Sequence, residues 1–163
     1  MARAAMGEVV IRQFRPGDLD GLFVLDYRAY PPAYRFGYSQ LVHTLHDKRV
    51  SAVVIEGERE GDLVGGLIVR ADPEARLAAV VSLTVEPDYR RHGLGTRLVD
   101  WAVRYAEASA WLRVVVPLER GNEGATAFLT AAGFEDSGLS QPYYHSAGEG
   151  TLWRLNLKTE QPE

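Results

Sequence analysis

Val85-Glu86-Pro87-Asp88-Tyr89-Arg90-Arg91-His92-Gly93-Leu94-Gly95-Thr96-Arg97-Leu98 decides the fold. The stretch opens at the end of an apolar run, Leu77 to Val85, and crosses a turn holding two arginines and two glycines. It then enters a segment where Leu94, Leu98, Ala102 and Tyr105 or Ala106 recur at steps of three and four. A strand ends, a tight turn follows and a helix begins. Such a junction suits an anion, because glycines let the backbone approach a ligand, first-turn amides lack intrahelical partners, and the helix dipole favours negative charge. The charges agree. Between Glu86 and Arg104 four arginines (Arg90, Arg91, Arg97, Arg104) face three acidic residues (Glu86, Asp88, Asp100), in a chain of net charge -4. Tight packing of helix on strand would also account for the glycines alone.

Working outward, Val9 to Arg15 is rich in β-formers and stops at Pro16-Gly17-Asp18, after which Leu22, Leu25 and Ala29 mark a helix that Asp18 is placed to cap and Pro31-Pro32 ends. Tyr38 to Lys48 predicts a second short helix. Ser51 to Glu56 and Leu63 to Arg70 flank the charged turn Gly57 to Asp62, and Asp72-Pro73-Glu74 leads into Leu77 to Val85, giving an antiparallel meander. Beyond the long helix, Leu112 to Leu118 reads as a strand, Glu123 to Ala132 as a helix closed by Gly133, and Leu152 to Leu157 as a last strand, with Tyr143-Tyr144 on the strand before it. The class is mixed α/β, mostly antiparallel, with one parallel crossover and about four helices. Residues 9–158 form the expected single domain, between an N-terminal tail (1–8) and a C-terminal tail (159–163).

Composition narrows the function. The 163 residues are 46% hydrophobic and 25% charged, ordinary globular usage for one domain. There is no cysteine, which removes disulfides, thiolate metal sites and covalent thioester chemistry and points to the cytoplasm. With 18 Lys and Arg against 22 Asp and Glu, no general attraction to nucleic acid is expected, and the longest apolar run is far below the roughly 18 residues of a membrane span. His43 and His46 lack a third ligand, so no metal is expected. A P-loop needs Lys then Ser or Thr after its last glycine, where Thr96-Arg97 stand; a dinucleotide fingerprint needs a third glycine, where Leu98 stands.

Arg90-Arg91-His92-Gly93-Leu94-Gly95 resembles the Gln/Arg-x-x-Gly-x-Gly/Ala pyrophosphate loop of the GNAT superfamily of N-acetyltransferases, preceded by Val85-Glu86-Pro87. Asn122 to Phe134, with Asn122, Ala125, Phe128, Leu129, Gly133 and Phe134 at the family's spacing, is similar to its second signature. The resemblance implies a single α/β domain whose sheet splays between strands 4 and 5, and an enzyme that moves an acetyl group from acetyl-CoA to a primary amine. Tyr30-Pro31-Pro32-Ala33-Tyr34 and Tyr143-Tyr144 look similar to segments of N-terminal-amine and ribosomal-protein acetyltransferases. That likeness implies acceptor contacts at Tyr30, Pro31, Tyr34 and Tyr143; the bland alternative makes Tyr30 and Tyr144 core aromatics.

On this resemblance the pyrophosphate sits on the amides of Arg91 to Thr96, with Arg90 beside them. The pantetheine pairs with the edge of Leu83-Thr84-Val85 as an added strand. Asn122 either reaches the pantetheine or caps the following helix, and Ala125 and Phe128 belong to the same wall. Pro117 lacks a backbone donor and suits the splay. The chain departs from the family at its acid and base: Leu129, Ala78-Ala79 and Pro117 stand where a tyrosine, a carboxylate or tyrosine, and a Glu or His are often found. Tyr144, then Glu119, then Tyr143 are the candidate proton donors, with solvent as the alternative. The acceptor is a small-molecule or peptide amine, and a homodimer is compatible. A non-catalytic acetyl-CoA sensor or interaction module is the alternative function.

Overall fold

The computed structural model describes residues 9–32, 35–59, 61–142 and 149–158. Seven strands form one sheet in the order β1-β2-β3-β4-β5-β7-β6. The strands are β1 (Ile11–Gln13), β2 (Val50–Glu56), β3 (Leu63–Asp72), β4 (Leu77–Val85), β5 (Arg113–Glu119), β6 (Glu135–Pro142) and β7 (Glu149–Asn156). The helices are α1 (Leu19–Ala29), α2 (Tyr38–His46), α3 (Leu94–Ala108) and α4 (Glu123–Ala131). Among the described residues only β4 and β5 run parallel, joined through α3, as the change from an apolar run to helical spacing past Pro87 predicts.

Two apolar layers cover the sheet. On one face Leu94, Leu98, Val99 and Ala102 of α3, with Leu129 of α4, pack on Val53, Leu67, Val80 and Val114. On the other, Leu22 and Leu25 of α1 and Leu41 of α2 pack on Val54 and Ile68. Alternation along β2 and β3 thus feeds both layers, which is why these strands read as continuous apolar runs.

The antiparallel register of β3 with β4 slips between Ile68 and Val69, so Val81 is an extra residue on β4. The slip changes which side chains face which layer: Ala78 and Val80 enter the α3 layer before it, Leu83 and Val85 after it, while Val81 packs toward α1.

The sheet splits where the site lies. β4 and β5 pair only at Leu77↔Arg113, Ala78↔Val114 and Ala79↔Val115, after which β5 continues with β7 alone as far as Glu119↔Gly150. Pro117 lies beyond the last pair with β4, where its missing N–H costs no bond to that strand. From Val80 onward β4 presents an open edge.

One local expectation is corrected. Asp18 does not cap α1 with its side chain. Its carboxylate turns back to accept from the Arg15 N–H at 2.7 Å and from two nitrogens of Arg12 at 2.8 Å each, and Arg12 also reaches Glu56 at 2.6 Å. Arg12 on β1 engages both carboxylate oxygens in a two-nitrogen fork, a bidentate geometry that the helix amides do not offer.

Candidate functional site

The loop after β4 is held in an unusual backbone shape. Arg91 (φ 65°) and Gly93 (φ 80°) both lie in the left-handed region, and Gly93 is the residue immediately before α3. Glycine takes that conformation freely, whereas a non-glycine residue such as Arg91 is strained there, and strain of this kind concentrates at ligand sites. The first bond of α3 runs from the Arg97 N–H to the Gly93 carbonyl, so the amides of Leu94, Gly95 and Thr96 precede the ladder and face outward from the helix end.

Gly95 is needed for a different reason. A Cβ there would meet Phe128 Cζ at 3.3 Å, so α4 leans its aromatic ring directly over the first turn of α3. A cavity of about 540 Å³ lies beside this contact, bounded by Ala29, Tyr30, Leu83, Val85, Tyr89, Arg90, Arg91, Gly93, Leu94, Gly95, Thr96, Gly124 and Phe128. Leu94 is 2% exposed, so backbone is chiefly what it lends to the wall.

The open edge of β4 forms the other wall. The Glu86 N–H donates to the Val64 carbonyl at 2.9 Å, which fixes even-numbered residues of this stretch toward β3 and turns the peptide groups of Leu83 and Val85 to the split. Both carbonyls on that edge have side-chain partners. The Tyr30 hydroxyl donates to Leu83 O, and Arg90 Nε donates to Val85 O at 3.4 Å. Arg90 Nη2 also donates to the Ala29 carbonyl at 3.2 Å, and Arg28 pairs with Glu86 at 2.9 Å, so the end of α1 is tied to the turn leading into the loop.

Tyr30 is half-buried, and burial pushes its phenol up to about 12; the Thr84 hydroxyl and Arg90 oppose that rise and Asp26 adds to it. Its backbone is braced: its N–H donates to the Asp26 carbonyl at 3.1 Å and its own carbonyl accepts from Arg35 Nε at 2.8 Å. Asp26, 4% exposed, also accepts from the Phe36 N–H at 2.9 Å, and the Arg35 guanidinium lies 3.7 Å over the Tyr27 ring.

Of the residues singled out in the sequence, Tyr30, Leu83, Val85, Arg90, Arg91, Gly93, Leu94, Gly95, Thr96 and Phe128 come together on this one cavity. Thr84 is 3% exposed and turns its hydroxyl toward Ser82 at 3.2 Å and toward Tyr30, away from the cavity. Pro31, His92, Asn122 and Ala125 lie outside the wall. Asn122 serves as the cap of α4, its Oδ1 accepting from the Ala125 N–H at 3.1 Å. Glu119 ends β5 on the face shared with Val115 and Pro117, opposite α3 and α4, and does not line the cavity. Tyr34, Tyr143 and Tyr144 lie outside the described residues. Leu129, at the position where a phenol is often found, is 2% exposed in the α3 layer. Sequence reading missed Ala29, Tyr89 and Gly124; the Arg28–Glu86 and Arg90–Ala29 links that draw Ala29 in are tertiary and leave no local pattern.

The chain is thus an α/β protein whose sheet splits beside a glycine loop and a helix N-terminus. The chain belongs to the acetyltransferase (GNAT) family, whose model matches residues 19–134. Among solved structures it is similar to the ribosomal-protein-S18-alanine N-acetyltransferase from Escherichia coli, at 18% identity and a TM-score of 0.79, covering 96% of this chain and 99% of that one. Ard1 from Thermoplasma volcanium matches at 18% identity and a TM-score of 0.78, over 92% and 98% of the two chains. The PaiA N-acetyltransferase from Thermoplasma acidophilum, in complex with coenzyme A, matches at 15% identity and a TM-score of 0.74, over 93% and 100%. A search of the curated proteins finds no match.

Proposed function

We propose that this protein is an acetyl-CoA-dependent N-acetyltransferase acting on a primary amine in a ternary complex. The observation that carries the proposal is the continuity of one cavity from the glycine loop (Gly93, Gly95, Thr96) to the open edge of β4 at Leu83 and Val85. The residues fit the group. Gly93 lines the cavity with nothing within 4 Å of a Cβ position, Arg90 and Arg91 bring positive charge, and the outward amides of Leu94 to Thr96 are the donors an oxyanion needs.

Bound acetyl-CoA supplies an activated acyl carbon and a thiolate leaving group. The chain's own part is positioning. The Leu83 and Val85 N–H groups face the split and are fixed by the β3 ladder behind them, so they meet a developing oxyanion without reorganising. Because Tyr30 and Arg90 hold the two edge carbonyls, this edge offers donors more readily than acceptors. For the proton on the departing thiolate, Tyr144 is the first candidate, followed by Tyr143 and solvent; Glu119 lies off the cavity wall, and Leu129, apolar and in the core, is removed from that role.

The acceptor is a peptide N-terminus, a lysine or a small-molecule amine. The likeness to the ribosomal-protein-S18-alanine N-acetyltransferase supports placing peptides with free N-termini first in a screen. The burial of Leu129 favours one other reading, an acetyl-CoA-binding module without turnover. Calorimetric titration with acetyl-CoA followed by an amine panel read through released thiol separates the cases. No binding at millimolar cofactor overturns the proposal, and binding without turnover on any amine favours the module.

A further inference from the structure

Resting on the acetyl-CoA reading, we infer that Tyr30 sets the length of acyl group this protein accepts: its ring closes the inner end of the cavity, so that a two-carbon acyl group fits against Leu83 and Val85 and a longer chain does not.

The open edge of β4 is short. Pairing with β5 resumes at Ala79↔Val115, and Leu83 is the innermost residue of β4 on the cavity wall. A ligand arm anchored at Gly93 and Gly95 meets Val85 first and Leu83 roughly 7 Å further in, two residues at about 3.3 Å each. There the Tyr30 hydroxyl is bonded to the Leu83 carbonyl, which lays the phenol ring across the edge.

This wall is braced at both ends. The hydroxyl is fixed on β4, the backbone N–H on Asp26 and the backbone carbonyl on Arg35. What lies behind is polar: the Thr84 hydroxyl neighbours the phenol and pairs with Ser82 at 3.2 Å, and these two residues are 3% and 7% exposed. An alkyl chain passing the ring would press against those buried hydroxyls without offering them a hydrogen bond, a cost that adds to the steric one.

The same geometry argues against Tyr30 as the proton donor. Its proton already serves Leu83 O, and burial holds the phenol protonated more firmly than a solvated one. Tyr30 acts here through its shape.

The test is equilibrium binding of acetyl-CoA, butyryl-CoA and free CoA to the parent, Tyr30→Leu and Tyr30→Ala. Each thioester is read relative to free CoA on the same variant, which cancels damage at the nucleotide end. Tyr30→Leu keeps an apolar side chain against α1 should Tyr30→Ala fail to fold. The expected result is a preference of about tenfold or more for acetyl-CoA over butyryl-CoA in the parent, the scale on which pockets resolve added methylenes. Shortening Tyr30 should bring the two within about threefold. Equal relative affinities in the parent, or an unchanged preference in a folded Tyr30→Leu, overturns the inference while acetyl-CoA binding still stands. If neither CoA nor its thioesters bind the parent, the acetyl-CoA reading itself falls, and this inference with it.

Discussion

The Phe128 ring of α4 rests on Gly95 in the first turn of α3, where a Cβ would lie 3.3 Å from Cζ. Both residues line the cavity, so the contact fixes the distance between its two helical walls. Gly95→Ala therefore has two opposed effects. Alanine in a helix gains about 0.5–1 kcal/mol over glycine. The added methyl forces the half-buried ring to give, and the cavity is the open side. The expected outcome is a melting temperature within a few degrees of the parent with acetyl-CoA affinity reduced about tenfold. Calorimetry and thermal unfolding on one preparation check it; unchanged affinity in a folded variant counts against the site.

Gly93 presents the opposite case. Nothing lies within 4 Å of a Cβ there, yet φ is +80°. Gly93→Ala should crowd nothing and lose about 1 kcal/mol through the left-handed backbone alone. Urea unfolding should show that loss without acetyl-CoA present. A variant as stable as the parent would mean that the loop takes another shape.

How much of this was readable in the sequence differs from element to element. β4 and α3 were, because an apolar run gives way abruptly to helical spacing past Pro87. The extra residue at Val81 was not: Leu77 to Val85 is apolar on both faces, so a one-residue slip leaves no mark on the pattern. The loop residues from Arg90 to Thr96 could be picked out because a local glycine spacing encodes them. Tyr30 was named for acceptor contact, but its bond to Leu83 joins residues 53 apart in the chain, and no local pattern reports such a contact. Asn122 had two readings, and the geometry gives it the local one.

The α4 cap leads to a separable prediction. Asn122 is exposed and accepts from the Ala125 N–H at 3.1 Å, so Asn122→Ala should lower stability by about 1 kcal/mol, and Asn122→Asp, which keeps the acceptor oxygen, should restore most of it. Chemical denaturation of the two variants decides this. Equal stability of Asn122→Ala and parent would show that the cap contributes nothing.

The carboxyl of Asp18 is held below the usual carboxylate range, first by the Arg12 guanidinium and also by the Arg15 amide, against the opposing effect of burial. A group lowered in the folded state stabilises fully above its unfolded value of roughly 3.9, and the stabilisation is lost as pH falls from there through the lower folded value. Asp18→Asn should thus cost about 1–3 kcal/mol at pH 7, since it removes two charge-assisted bonds and leaves Arg12 with Glu56. The difference between parent and variant should shrink below pH 4. Urea midpoints at pH 7 and pH 3 test the sign, and a difference that grows on acidification would exclude the pairing as its origin.

Tyr30→Phe isolates the hydroxyl from the ring. Without it the Leu83 carbonyl loses its donor, and because that edge is only partly buried the loss should be about 1 kcal/mol at neutral pH, near the lower end for an unmade bond. Alkaline behaviour supplies the sharper test. With the folded phenol raised to about 12 and an unfolded one near roughly 10, the unfolded chain releases its proton first as pH rises. The parent's stability should be fully present below pH 10 and fall as pH rises through 12, more steeply than that of the variant, which has no proton to release at this position. Urea midpoints at pH 9 and pH 11 compare the two proteins directly, and ultraviolet titration of phenolate reports the same group. If both proteins lose equal stability between those pH values, and the spectral step missing from Tyr30→Phe lies near pH 10, the phenol is solvated and does not hold Leu83.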